Sequence, residues 1–199
     1  MIRGIHHWVF DMDGTLTLAV HDFAAIRRAL EIPPQDDILD HLAALPAQQA
    51  AVKRAWLLEH ERALAQSAQA APGACELVKA LHDSGYTLGI LTRNARELAL
   101  ITLEVLGIHT YFAEQDILGR DEAPPKPRPD GLLHLAQGWN IAPSQLLMVG
   151  DYLNDVQCAR MAGAYNVLVN VSENLWPEWT DLHLADCHAL HQYWQERAY

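Results

Sequence analysis

A chain of 199 residues, half of them hydrophobic and 20% charged, can bury a core of its own, which excludes a disordered or fibrous protein. A formal net charge of −11 argues against a nucleic-acid partner, because a phosphate backbone calls for a Lys/Arg footprint. Cys75, Cys158 and Cys187 form no CxxC pair, no basic leader with an apolar run opens the sequence, and no apolar run nears the ~20 residues that cross a bilayer, so a reduced, cytoplasmic setting away from membranes is expected.

The aromatic and β-branched run at 5–10 (IHHWVF) predicts a strand, which ends in the acidic turn Asp11-Met12-Asp13-Gly14. Residues 18–72 are Ala- and Leu-rich and contain no strand-like run. Phe23, Ile26 and Leu30 stand at helical spacing behind Asp22, an N-cap residue, and Pro33-Pro34 ends that helix. Ile38, Leu39 and Leu42 predict a second helix. Residues 47–69 predict a long third one, with Val52, Trp56 and Leu57 on its apolar face.

Beyond Ala71-Pro72-Gly73 helix and strand alternate. Helices are expected at 74–83, 95–106, 130–137, 154–162 and from about 188, several of them stopped by glycine (Gly85, Gly107, Gly163). Strands are expected at 86–91, 146–150, 165–171 and 182–185, with a short one near 111–113. This alternation implies an α/β fold with a parallel sheet covered by helices, whose ligands bind outside the carboxyl ends of the strands. The helical stretch 18–72 reads as a cap inserted after the first strand, leaving 1–17 and 73–199 as the core.

Three strand ends carry unusual side groups: Asp11 and Asp13 after the first, Thr92-Arg93-Asn94 after 86–91, and Asp151 after 146–150, followed by Asn154 and Asp155. Lys126 lies between the last two in a proline-rich stretch (PPKPRP). Converging, they suit phosphoryl transfer, which needs a nucleophile, a cation and donors around the phosphate oxygens. The Asp11 carboxylate can attack phosphorus. Asp11 and Asp151 suit Mg²⁺, a hard cation that takes carboxylates and phosphate oxygens. Lys126 would balance the negative charge and hold a phosphate oxygen, with the Thr92 hydroxyl and backbone N–H groups holding another. Asp13, two residues past Asp11, could protonate the leaving oxygen and then activate water while its backbone carbonyl faces the metal; Gly14 permits the tight turn. Arg93, Asn94 and Tyr152 adjoin these residues and are expected at the substrate side of the site. Trp56, Arg27 and Arg28 in the helical stretch are weaker candidates for substrate contact.

DMDGTLT at 11–17, LTRN at 91–94, KPRPD at 126–130 and GDYLND at 150–155 together resemble, in order, the four motifs of the haloacid dehalogenase-like hydrolase superfamily. The resemblance implies a Rossmann-like core that requires Mg²⁺. It implies Asp11 as nucleophile, Asp13 as acid/base, Thr92 and Lys126 as phosphate-binding groups, Asp151 as metal ligand, and Asp155 as a second acid orienting Lys126 or a metal water. The insert at 18–72 resembles the small helical cap of the phosphoglycolate phosphatase-like branch, shorter than the usual four-helix cap. A phosphatase acting on a small phosphorylated metabolite is therefore expected, as a monomer or homodimer. A sugar-phosphate mutase and a non-catalytic binding module of the same fold are the alternatives. Asp13 disfavours dehalogenation, since dehalogenases of the superfamily typically lack the second Asp. Phosphonate hydrolysis would need a cap lysine, and Lys53 is the one present.

Overall fold

The computed structural model describes residues 4–197, so the outermost residues of the expected core lie outside the described part. Six parallel strands form one sheet in the order β3-β2-β1-β4-β5-β6. The strands are β1 (His7–Phe10), β2 (Thr87–Leu91), β3 (Ile117–Leu118), β4 (Leu146–Gly150), β5 (Tyr165–Leu168) and β6 (Leu182–His183). The polypeptide builds outward from β1 to β3, then returns to place β4 on the other side of β1. The strand order thus reverses between β1 and β4, the position at which open α/β sheets bind ligands.

Strand alternation assigns the two faces. Trp8 and Phe10 of β1, with Leu147 and Val149 of β4, pack on one side against α4 (Ala74–Asp83), α5 (Arg96–Val105) and α8 (Cys187–Gln195). Val9, Leu146 and Met148 pack on the other against α6 (Asp130–Gly138) and α7 (Leu153–Ala162). Burial on both faces explains why these strands read as nearly continuous apolar runs.

The helices between β1 and α4 are α1 (Phe23–Ala29), α2 (Ile38–Ala44) and α3 (Ala47–Gln66). Asp22 caps α1, accepting from the Ala25 N–H at 2.8 Å, and Asp37 caps α2 by accepting from Leu39 and Asp40. Ile26, Leu30, Ile32, Ile38, Leu42 and Leu57 form a small core of their own. The segments that enter and leave this unit run side by side: Leu18 N–H donates to Gln69 O and Ala71 N–H to Leu16 O, both at 2.9 Å.

Two sequence expectations are corrected. Residues 109–111 form a 3₁₀ turn, and the short strand stands instead at Ile117–Leu118, beside β2. Two buried residues are too few to show a strand period. In α3 the buried positions are Ala50, Leu57, Glu61 and Ala65, whereas Val52 and Trp56 are exposed. Alanine lets α3 lie close to α5, so small residues and one carboxylate are buried there and the larger side groups face out.

Candidate active site

Asp11, Thr92 and Asp151 each directly follow a strand, β1, β2 and β4, and these three strands are adjacent. Backbone bonds hold the first two in place: Asp11 N–H donates to Val149 O and Thr92 N–H to Leu118 O.

At the centre, Lys126 Nζ donates to Asp11 Oδ1 and to Asp155 Oδ1, both at 2.6 Å. The Lys126 side chain is 2% exposed, so these are charges removed from water. Burial alone would pull the lysine's pKa down, but the two carboxylates outweigh it and keep the ammonium protonated. Carboxyl oxygens of Asp11, Asp151 and Asp155 lie within 4.8 Å of one another. Burial pushes the Asp11 pKa up, with Lys126 opposing. Burial, reinforced by the charges of Asp11 and Asp155, raises Asp151 to about 8. Asp155 is raised to about 6, again first by burial. When all three acids are ionised they face a single ammonium, and burial together with that excess of negative charge holds their protons on. An all-oxygen, acidic donor set of this kind fits a hard divalent cation.

Asp155 is fully engaged, one oxygen on Lys126 and the other accepting from Tyr152 N–H at 3.0 Å. Asp151 has one oxygen held by the Thr15 hydroxyl at 2.8 Å. Gly14 adopts φ +90°, and a Cβ there would lie 2.4 Å from Asp151 Oδ2, so this turn admits only glycine. Asn170 donates from Nδ2 to the carbonyls of Gly14 and Thr15, tying the turn to the segment after β5. Sequence reasoning missed Thr15 and Asn170. Thr15 lies inside the DMDGT run, but nothing local marks Asn170.

Asp13 stands apart from this cluster, toward the insert. Its side chain is 28% exposed, with His21 Nδ1 3.8 Å from Oδ1 and Asn94 Nδ2 3.4 Å from Oδ2. Thr92 is buried, and its Oγ1 accepts from Asn94 N–H at 3.0 Å. Asp13, His21 and Asn94 line a small cavity of about 10 Å³ beneath α3, together with Glu61. Glu61 is paired with Arg120, its pKa raised to about 7 by burial against the pull of that arginine.

The remaining candidates have partners of their own. Arg93 reaches across to Asp37 of the insert at 2.6 Å. Arg27 donates within the insert to Asp36 O, Arg28 is exposed, and Trp56 stacks on His60. Lys53 donates to Leu30 O and braces the insert. Tyr152 is exposed and packs edge-on against Trp176. The cysteines are free, and burial pushes both the Cys158 and Cys187 thiols up to about 12, which keeps them unreactive. Among the described residues no helix is long and apolar enough to cross a membrane.

A family model described as haloacid dehalogenase-like hydrolase matches residues 5–163. A haloacid dehalogenase-like hydrolase domain-containing protein of Arabidopsis thaliana is 32% identical over 89% of this chain and 74% of its own length. A phosphoglycolate phosphatase of Escherichia coli O157:H7 is 33% identical over 78% of this chain, a match that spans 60% of that protein. The crystal structure of a hydrolase from Pseudomonas syringae superposes with a TM-score of 0.79 at 23% identity, covering 98% of this chain and 100% of the other.

Proposed function

Since the chain belongs to the haloacid dehalogenase-like hydrolases, in their phosphoglycolate phosphatase-like branch, it is a phosphatase, and we propose that it hydrolyses a small phosphate monoester through attack by Asp11. The observation that carries this reading is Lys126 Nζ held 2.6 Å from both Asp11 and Asp155, beside Asp151. A buried lysine in that position opposes the burial that raises the Asp11 pKa, and so favours the ionised, nucleophilic carboxylate.

An oxygen of Asp11 bonds to phosphorus as the bond to the ester oxygen breaks. The leaving oxygen takes a proton from Asp13. Asp13 then accepts a proton from water, which attacks the aspartyl-phosphate and releases inorganic phosphate and free Asp11. Lys126, Thr92, the Gly14 turn, Arg93 and Asn94 are assigned to the phosphate side, with Arg93 also joined to the insert. Asp11, Asp151 and the backbone carbonyl of Asp13 would hold Mg²⁺, with Asp155 orienting Lys126. The cation would supply charge neutralisation at the phosphate oxygens.

We assign 1–17 and 73–199 to the core and 18–72 to a cap, a division supported by the insert's separate core and its paired connections. A reduced cytoplasmic setting agrees with the free cysteines. Hydrolysis of p-nitrophenyl phosphate with Mg²⁺ tests the proposal, with Asp11→Asn as control. Turnover equal to that of the control would overturn it, and interconversion of sugar phosphates with sluggish phosphate release would move it to a mutase.

A further inference from the structure

Asn170 lies just past the end of β5 and stands in the left-handed region at φ 60°. Asparagine tolerates that backbone better than most residues with a Cβ, and its amide carries two protons to donate. Both properties are used here. Backbone bonds fix the segment: Val169 N–H donates to Gly150 O at 2.9 Å, and Asn170 N–H donates to Ala185 O at 3.1 Å. From there Asn170 Nδ2 donates to Gly14 O at 2.8 Å and to Thr15 O at 2.9 Å. Its Oδ1 is buried and finds no donor among the described residues, so the amide is held by its donor side alone. A left-handed non-glycine residue with an unpaired buried acceptor is a local cost, and such costs gather at functional sites.

The two carbonyls belong to the turn that follows Asp11 and Asp13. Met12 O accepts from the N–H groups of Thr15, Leu16 and Thr17 at 3.3, 2.9 and 3.0 Å. The turn is thus held through its N–H groups by Met12 and through its carbonyls by Asn170. Thr15 O has one further donor, the Cys187 thiol at 3.6 Å, which is a weak one. Thr15 is fully buried, and its hydroxyl donates to Asp151 Oδ1 at 2.8 Å. Contacts therefore run from Asn170 through Thr15 to Asp151, joining the segments that follow β5, β1 and β4.

We propose that Asn170 is a positioning residue for the acidic cluster. By fixing the Gly14 and Thr15 carbonyls it aims the Thr15 hydroxyl at Asp151, and so presets that carboxylate for the cation. This rests on the reading of Asp11 and Asp151 as Mg²⁺ ligands. Groups that orient metal ligands are typically worth about 10–100-fold in metal affinity or activity.

Two variants separate the amide from the backbone. Asn170→Gly removes the donor and keeps the left-handed conformation, whereas Asn170→Ala removes the donor and strains the backbone as well. Calorimetric titration of the metal-free protein should show Mg²⁺ bound about tenfold or more weakly in both, to a similar extent. Tm should fall further in the alanine variant, so affinity follows the amide and stability follows the backbone. Thr15→Val removes the hydroxyl link, and adding Asn170→Gly to it should weaken Mg²⁺ binding no further. Unchanged Mg²⁺ affinity in the glycine variant overturns the proposal, as do losses that add in the double variant. Failure of both Asn170 variants to fold would assign the residue to the fold and overturns it too. Absence of Mg²⁺ binding in the wild-type protein overturns the proposal together with the metal assignment. Weakened binding in the variants without wild-type turnover of p-nitrophenyl phosphate overturns the phosphatase reading alone.

Discussion

Lys126 Nζ stands 2.6 Å from Asp11 Oδ1, and the lysine shares its remaining charge with Asp155 at the same distance. Neither carboxylate meets another cationic side group among the described residues, so the lysine is what opposes the burial that raises their pKa values. Lys126→Met should therefore act twice. Turnover should fall to the background of Asp11→Asn, and the metal-free protein should lose about 3–5 kcal/mol, the usual consequence of removing one partner from a buried ion pair. Urea unfolding near neutral pH with EDTA checks the second effect. A loss below about 1 kcal/mol would place the pair among weak surface contacts.

The acids of the site predict how pH acts on the metal-free fold. Asp151 is raised to about 8 and Asp155 to about 6, both above the ordinary carboxylate range. A raised folded-state pKa means that the folded protein holds these protons more tightly than the unfolded one. Their stabilising contribution is thus full at acidic pH and is lost as pH rises through about 6 and about 8. In EDTA, Tm should fall from pH 5.5 to pH 8.5. Asp151→Asn should flatten that slope. Added Mg²⁺ should raise Tm most at the alkaline end, where the acids are free of protons, and thermal scans across pH with and without Mg²⁺ would show it.

Asp13 is set off from the acidic cluster, with His21 and Asn94 beside it. In the proposed mechanism an acid/base in that place would serve both halves of the reaction. Asp13→Asn should slow leaving-group departure and slow the hydrolysis of the aspartyl-phosphate, so intact-protein mass spectrometry after mixing with an activated aryl ester should detect a phosphorylated fraction. Full activity in this variant would remove Asp13 from the mechanism.

The turn at Gly14 gives a test that involves no charged group. Gly14→Ala would put a methyl group 2.4 Å from Asp151 Oδ2 at φ +90°. The backbone strain alone costs on the order of 1–2 kcal/mol. Because the obstructed oxygen belongs to the acidic cluster proposed to hold the metal, Mg²⁺ should bind more weakly in this variant by calorimetry, even where it remains folded. Unaltered affinity would mean that Asp151 moves aside freely.

Asp37 has two tasks, capping α2 and pairing with Arg93. Burial alone would push its pKa up, yet the Arg93 guanidinium holds it below the usual carboxylate range. Asp37→Asn keeps a capping group and loses the charge, whereas Asp37→Ala loses both. The alanine variant should be the less stable of the two by about 1 kcal/mol, the usual value of an N-cap. Both should change KM more than Tm if the pair holds the insert over the phosphate side.

Much of this molecule is legible in its sequence because the deciding signals are local. The apolar runs at β1 and β4, the cap residues Asp22 and Asp37, and the acids placed directly after strands follow from periodicity and turn chemistry over a few residues. From these signals the parallel α/β sheet, with Asp11 and Asp151 at the same end of it, can be read. Tertiary structure alone decided which residues meet across long separations. Lys126 reaches Asp11 115 positions away, and Asn170 braces the Gly14 turn from 156 positions away. It also decided that α3 turns Glu61 inward and Trp56 outward, since its alanines carry too little apolar contrast to orient the helix by themselves. The acids that follow β1 and β4 were therefore written in the sequence, whereas the surroundings of Asp13 depended on how closely α3 packs against α5.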